Sequence, residues 1–263
     1  MTELSVVIIT FNEAQNIARC LDSVKDLADE VIVLDSFSTD DTEQICLSKG
    51  VRFFQHAFDG HIEQKNRALT YSKFPLVLSL DADEALSDEL KNSIWEVKKN
   101  PISDGYYLNR MTNYCGSWIH YSGWYPDSKL RLWRSGKGKW GGLNPHDKFE
   151  LFAGDKNSVK LNGDILHYSY YSIDQHYRQA EYFSTIAAKA YFESGKRSGI
   201  YNMIFNPALK FFRNYFLKAG FLDGLAGFTV CRITAYETFL KYRKLRNLAF
   251  TREADSSETK KSN

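Results

Sequence analysis

Four short apolar runs, each followed by a segment of helical length, constrain this 263-residue chain more than any other feature. Residues 5–10 (SVVIIT), 31–34, 51–54 and 76–80 have strand length, and β-branched residues dominate the first two. They are near-continuous in apolar character, as buried strands are. Segments 16–24, 41–49 and 62–72 fit helices between them, and Asp40 with Glu43 has capping-box spacing. Strand and helix in alternation imply a parallel sheet with right-handed crossovers. After the fourth strand the order changes. Ser87 is placed to cap a helix through Lys99, residues 105–110 and 129–133 read as strands, and the glycines and prolines of 136–145 read as a loop. A last strand is expected over 164–168 and a helix over 173–193, with Ser172 and Gln175 in capping-box spacing.

The length fits a catalytic domain over 1–170 with a helical C-terminal region over 171–252 and a polar, disordered tail over 253–263. With 43% apolar and 25% charged residues the chain falls in the compact globular range, which excludes a fibrous or wholly disordered protein. Cys20, Cys46, Cys115 and Cys231 lie far apart with no C-x-x-C pair, arguing against a zinc knuckle or a disulfide scaffold and for a reducing, cytoplasmic compartment. The first ten residues carry Glu3 and no basic segment, so no secretory signal is expected. Charge is unevenly spread: residues 196–252 hold eleven Lys or Arg against Asp223 and Glu237, whereas residues 1–195 carry a net charge of −6. The basic stretch is also rich in aromatics, a pairing that points to an anionic partner surface.

Chemistry concentrates at strand ends. Asp81-Ala82-Asp83 closes the fourth strand, where open α/β sheets bind ligands, and two carboxylates one residue apart suit a hard divalent cation shared with phosphates. Taken alone, such a triplet is equally well read as a solvated entry to the helix capped by Ser87. Thr10-Phe11-Asn12-Glu13 and Asp35-Ser36-Phe37-Ser38-Thr39-Asp40 end two other strands on the same edge, so three loops converge there.

With these motifs the chain resembles the inverting glycosyltransferases of family 2, strongly over residues 4–84 and more loosely to 170, and within them the lipopolysaccharide inner-core glucosyltransferase branch. The resemblance implies an α/β GT-A fold, Rossmann-like, with a mixed sheet flanked by helices and here a basic, aromatic helical appendage. It implies a nucleotide-sugar donor, UDP-glucose favoured, with Mg²⁺ or Mn²⁺ as cofactor and a glycolipid or saccharide acceptor. By position, Thr10, Phe11, Asn12 and Glu13 would form the nucleotide pocket, Asp35 would meet the base or ribose, and Asp81 the ribose. Asp83 would hold the metal, and Lys65 and Asn66 would line the donor site, although a solvated helix face explains Lys65 as well. Two departures stand out: Ser36 takes the place of a frequent second aspartate, and Phe37 that of a usual glycine, in a turn that often needs positive φ.

Inverting transfer needs a base on the acceptor hydroxyl. Gly141-Gly142-Leu143-Asn144-Pro145-His146-Asp147 ends in an acid where the resembling branch has His-Glu, so Asp147 is the expected base, with Asp127 the runner-up and a turn acid the plain alternative for either. His146 and His167 read as satisfied core histidines. A nucleotidyltransferase is a second enzyme reading, weakened by the absence of a glycine-rich basic loop after the first strand. A non-enzymatic module holding membrane or nucleic acid through the basic region is a third, with nucleic acid the less favoured partner. No apolar run is long enough to span a bilayer. Leu222, Ala226, Val230, Ile233 and Leu240 approximate one helical face next to Lys241, Arg243, Lys244 and Arg246, so peripheral contact of residues 196–252 with the cytoplasmic face of an anionic inner membrane is expected, unless the region packs as a helical hairpin on the catalytic domain.

Overall fold

The computed structural model describes residues 1–143 and 146–261, with side chains described through Phe250 except for Leu143 and His146. The chain forms two compact units, Met1–Thr112 with Pro126–Ser169, and Asn113–Tyr125 with Tyr170–Asn263. The second unit thus includes a segment that the sequence assigns to the catalytic domain.

In the first unit, β1 (Leu4–Thr10), α1 (Ile17–Val24), β2 (Glu30–Asp35), α2 (Thr42–Ser48), β3 (Arg52–Gln55), α3 (His61–Leu69) and β4 (Leu76–Asp81) follow the expected alternation. β5 (Glu84–Leu86), α4 (Asp88–Lys99), β6 (Gly105–Tyr114), β8 (Asp127–Arg134), β9 (Gly138–Leu143), β10 (His146–Leu151) and β11 (Ser158–Tyr170) complete that unit, while β7 (Ser117–Ile119), between β6 and β8 in sequence, falls in the second unit. Strand order is β3-β2-β1-β4-β8-β6-β11-β5; β1 pairs in parallel with β2 and β4, whereas β8 runs antiparallel to β4 and β6. This is the mixed, helix-flanked sheet that the resemblance implies.

The unbroken apolar strands follow from burial on both faces. Leu4, Val6 and Ile8 of β1 point into one core with Leu76, Leu78 and Leu80 of β4, against Ile17, Cys20, Leu21 and Val24 of α1 and Leu90, Ile94 and Val97 of α4. The alternate residues Val7, Ile32, Leu34 and Val77 enter a second core with Ala68 of α3 and with Trp133, Trp140 and Phe149. Ser87 caps α4 by accepting from Leu90 N at 3.2 Å, as its position predicts. Asp40 does not form the predicted box with Glu43: its carboxylate accepts from Thr42 N at 3.1 Å and from Ala14 N at 3.0 Å, tying two loops together instead. The expected loop over 136–145 is for the most part the β9–β10 hairpin, whose glycine and turn-rich composition hides its pairing.

In the second unit, α5 (Ile173–Glu193) carries the predicted capping box between Ser172 and Gln175. α6 (Ile200–Phe212) runs into a π-helical turn, Arg213–Leu217, and a short 3₁₀ turn, Gly220–Asp223, precedes α7 (Gly224–Lys261). The tail read over 253–263 falls beyond the described side chains. The apolar stripe of α7 is not a free face. Val230, Ile233 and Leu240 are fully buried, and Ala226 packs on a cluster of Tyr114, Ile119, Trp124 and Tyr170. Lys244 is engaged by α5, donating to Glu181 Oε2 at 2.6 Å and to the hydroxyls of Ser184 and Thr185 at 2.8 Å. The contact face expected on α7 is therefore an internal packing surface, because a helix shared between neighbours buries whatever apolar stripe it has.

Burial in the aromatic cluster of Tyr114, Trp124 and Tyr170 pushes the His176 imidazole down from its ordinary 6.5 to about 4. The folded state therefore resists a proton that the unfolded chain accepts. Its contribution to stability is intact above pH 6.5 and falls as the pH drops from 6.5 toward about 4, by about 3 kcal/mol across the window. Urea unfolding between pH 7 and 4 should show this decline, and His176→Phe should flatten it.

Candidate active site

Register brings the three loops together. Thr10 lies beside Asp35 of β2, and Ile9 beside Asp81 of β4, so the carboxyl ends of β1, β2 and β4 meet at one edge. The loops after β1 and β2 are stitched by short bonds: Asn12 N donates to Ser38 Oγ at 2.8 Å, Thr39 N to Asn12 Oδ1 at 2.8 Å, and Glu13 N to Thr42 Oγ1 at 2.8 Å. Asn12 and Phe37 both have positive φ, 54° and 62°, so the position that usually holds glycine keeps its left-handed backbone with phenylalanine in it. Phe11 and Phe37 expose more than half of their surface on these loops, at 55% and 54%. The Thr10 hydroxyl is buried with no partner. Asp35 is fully buried; its carboxylate accepts from Ser38 N at 2.8 Å and from the Ser38 hydroxyl, and so braces the loop from within.

The centre of the edge is a buried charge network. Lys65, on α3, is not on a solvated helix face: only 4% exposed, it reaches Asp81 Oδ1 at 2.9 Å and Asp147 Oδ2 at 2.8 Å. Arg131 of β8 donates to Asp81 Oδ2 at 2.9 Å and to Glu84 Oε1 at 3.2 Å. Burial alone would raise the Asp81 carboxyl, but Arg131 and Lys65 outweigh it and hold the group well below the usual carboxylate range. The Trp140 ring lies under both cations, 4.4 Å from Lys65 Nζ and 5.5 Å from the Arg131 guanidinium. Asn66 takes no outward role. Its amide clasps the Trp140 backbone, donating to the carbonyl and accepting from the N–H, each at 3.0 Å, and so docks the hairpin on α3. Lys65, Asp81, Arg131, Trp140 and Asp147 all line one cavity of about 740 Å³.

Asp127 opens β8 and does not line that cavity; Arg110, which does, donates to it at 2.8 Å, and Lys129 approaches at 3.1 Å. Burial pushes its carboxyl up, but Arg110 and Lys129 bring it below its ordinary value. The runner-up acid is thus held by two cations as a carboxylate.

Asp83 lies apart from the lysine network. Its Oδ2 is 3.1 Å from His167 Nε2, and Ser169 Oγ is 2.7 Å from the other ring nitrogen. Glu13, raised chiefly by burial, is raised further by the charges of Asp83, Asp40 and Asp81. This edge therefore gathers several carboxylates around Glu13. Among the described residues no three acidic, histidine or cysteine side chains form a closed metal cage. The donor set fits a Mg²⁺- or Mn²⁺-type cation, which takes one or two carboxylates and completes its shell with water and phosphate oxygens. Asp83, with His167 beside it, is the pair able to hold one.

Arg131, Glu84, Trp140 and His167 escape a reading of loop motifs. One signal was available: an arginine inside the apolar strand LRLW has to be buried, and a buried guanidinium requires carboxylates.

Residues 5–155 match the family described as Glycosyl transferase family 2. The chain is 32% identical over 95% of its length to an uncharacterized glycosyltransferase of Rickettsia prowazekii, covering 88% of that protein. It is 28% identical to a lipopolysaccharide core biosynthesis glycosyltransferase of Rhizobium meliloti, covering 92% of this chain and 91% of the relative. A solved structure of glucosyl-3-phosphoglycerate synthase from Mycobacterium tuberculosis, with Mn²⁺, uridine diphosphate and glucosyl-3-phosphoglycerate, aligns at 26% identity and a TM-score of 0.34 over 43% of this chain; the chain spans 44% of that protein. The chain belongs to glycosyltransferase family 2 and is a sugar-transferring enzyme. Sugar transfer therefore replaces both the nucleotidyltransferase and the non-enzymatic readings.

Lys65→Met should leave Asp81 and Asp147 facing each other without their shared cation. Loss of one partner from a buried pair costs about 3–5 kcal/mol. Lys99→Met, which removes an exposed i,i+3 pair with Glu96, should cost under about 0.5 kcal/mol. Paired denaturant titrations at neutral pH check the contrast.

Proposed function

We propose that the enzyme transfers glucose from UDP-glucose, with inversion, to a hydroxyl of a lipopolysaccharide-core or similar cell-surface glycolipid at the cytoplasmic face of the membrane. The observation that carries this reading is the shared lysine: Lys65 joins Asp81, which ends the strand at the donor loops, to Asp147 on the hairpin. A donor-side and an acceptor-side carboxylate thus border one cavity. The relative named for lipopolysaccharide core biosynthesis supports the acceptor class.

In this reading the loops after β1 and β2 hold the nucleotide, with the exposed Phe11 ring available to stack on the base and the buried Asp35 keeping the pocket's backbone in shape. Asp81 faces the ribose while Lys65 and Arg131 fix its carboxylate. Asp83 holds the divalent cation with His167 at its side; when bound, that cation supplies positive charge to the departing diphosphate. Asp147 accepts the proton of the acceptor hydroxyl as it attacks the anomeric carbon on the face opposite the leaving group. Inversion of an α-linked donor gives a β-linkage. Lys65 keeps one oxygen of Asp147 fixed, which orients the carboxylate within the cavity. Asp127, clasped by Arg110 and Lys129, serves this reading as a bracing acid.

Asp147→Asn keeps the size of the side chain and removes its basicity. Single-turnover transfer at saturating donor should fall by roughly 10²-fold to 10⁴-fold while donor binding persists. Asp127→Asn should lose much less; the reverse ranking, with Asp127→Asn inactive yet still binding donor, would transfer the role to Asp127.

Asp83→Asn removes charge from an edge where Glu13, Asp40 and Asp81 already crowd. Metal-dependent UDP binding should weaken by more than the roughly 10-fold to 100-fold that follows loss of a mere orienting partner. Calorimetric titration of UDP with and without Mn²⁺ reads this, and an unchanged metal dependence would move the cation elsewhere.

A further inference from the structure

Helix α6 has its amphipathicity turned outward. Tyr201, Ile204, Phe205, Leu209, Phe212 and Phe216 recur at helical spacing through α6 and the π-helical turn, and each is between 51% and 77% exposed. Just beyond, Leu217, Leu222 and Leu225 are exposed at 72%, 58% and 86%. Neighbouring rings on the stripe already lie against each other, Tyr201 with Phe205 and Phe212 with Phe216, and the described residues leave each at least half exposed, although Phe205, Leu209 and Phe212 share a cavity with Ala235, Tyr236 and Phe239 of α7. A continuous apolar surface of this kind marks a contact site, since scattered single hydrophobes do not line up along one face.

The surroundings of the stripe say what it meets. Lys196, Arg197, Lys210, Arg213 and Lys218 accompany it, and no Asp or Glu occurs between Lys196 and Leu222. The cations are close enough to feel one another: burial, and then the charges of Arg213 and Lys218, lower the Lys210 ammonium from its ordinary value. A second copy of the chain seated on the stripe would bring this acid-free set of cations toward its own duplicate. A lipid surface has the opposite character, with acyl chains for the rings and leucines and anionic headgroups for the flanking cations. No described helix is long and apolar enough to cross a membrane, so the stripe lies in the interface plane rather than through it.

We propose that the outward face of α6 and the turns that follow it, Tyr201 through Leu225, is a docking surface for an anionic lipid bilayer, with the aromatic and leucine side chains entering the headgroup boundary and Lys196, Arg197, Arg213 and Lys218 meeting the lipid charge. It replaces the α7 stripe, which is buried, and it stands independently of the sugar-site reading. Lys and Arg stems of this length can lie along apolar surface while their heads stay with the headgroups.

The test uses the full chain with vesicles of phosphatidylcholine alone or of phosphatidylcholine mixed with phosphatidylglycerol. The wild-type chain should float with the mixed vesicles and hardly with the neutral ones. Ile204→Gln with Leu209→Gln alters two exposed positions and should weaken that binding by roughly tenfold or more. Lys196→Glu with Arg213→Glu should remove the preference for anionic lipid. Circular dichroism melts confirm that both variants fold, and UDP binding on the same samples keeps a failure here separate from a failure of the donor site. Equal binding to both vesicle types, no binding to either, or variants that bind as the wild type does would overturn the proposal. So would a chain of doubled mass in solution that Ile204→Gln with Leu209→Gln returns to monomer, because that outcome assigns the stripe to self-association.

Discussion

One buried ammonium group at the wall of the cavity holds the edge of the catalytic sheet together. The parallel register of β1, β2 and β4 fixes Asp81 at the end of its strand, and the β9–β10 hairpin brings Asp147 to face it. Two carboxylates that close repel strongly in low dielectric, and Lys65 removes the conflict by touching both. Arg131 plays the same part for Asp81 and Glu84 from the neighbouring strand. Residues from α3, β4, β8 and β10 therefore require one another. The value of such a network is mostly positional, because desolvation cancels much of its Coulombic gain. It sets where the carboxylates point, which is what an active edge needs.

The aromatic wall behind the network makes that arrangement possible. Trp133 stacks on Phe149 at 3.6 Å, and Trp140 meets both edge-on, so the hairpin is clamped to β8 through ring contacts. The Asn66 amide completes the clamp from α3 by reading the Trp140 backbone. Backed by the Trp140 ring and buried themselves, the cations Lys65 and Arg131 interact more strongly with their carboxylates than they would on an open loop. The hairpin that brings Asp147 is thus fixed by side chains whose chemistry is apolar, while the group it brings is charged.

The parts of this unit that were legible in the sequence are those with a local cause. Strands β1, β2 and β4 are visible because burial on both faces demands uninterrupted apolar residues, and Ser87 and Ser172 announce their helices because a cap acts within three residues. The three loops at the sheet edge could be listed for the same reason. What stayed hidden depends on distant partners. Lys65 reads equally as a donor-site lysine and as a solvated helix face until Asp81 and Asp147 are known to lie beside it, 82 positions away in the case of Asp147. Asn66 looks like a ligand-binding amide, and its bonds to the backbone of Trp140 could not be read from the sequence. Asp40 has the spacing of one cap and makes a different set of bonds, because the N–H of Ala14 from another loop competes for its carboxylate. Phe37 is the opposite case. The sequence marked its position as one that favours glycine, and the backbone does adopt φ 62° there, stabilised by the Asp35 and Ser38 bonds directly around it.

The two stripes of the second unit show a limit of periodicity itself. Residues 226–240 of α7 and residues 201–216 of α6 and its π-helical turn both repeat apolar side chains at helical spacing, yet Val230, Ile233 and Leu240 are buried while Ile204, Leu209 and Phe212 are exposed. Periodicity states only that one side of a helix differs from the other; it carries no sign for inside or outside. The sign comes from what surrounds each stripe. On α7 the cation Lys244 finds Glu181 and two hydroxyls of α5, so its charge is answered within the protein and the stripe beside it turns inward. Around α6 the chain from Lys196 to Leu222 offers five cations and no acid; of these Glu237 of α7 acts on Lys210 alone, and no described acid forms an ion pair with Lys196, Arg197, Arg213 or Lys218. An apolar face whose flanking charges are satisfied internally belongs to the core. One whose flanking charges are left unanswered by their own segment is set for a partner of opposite sign, and the rings of α6 indicate that this partner has an apolar layer beneath its charge.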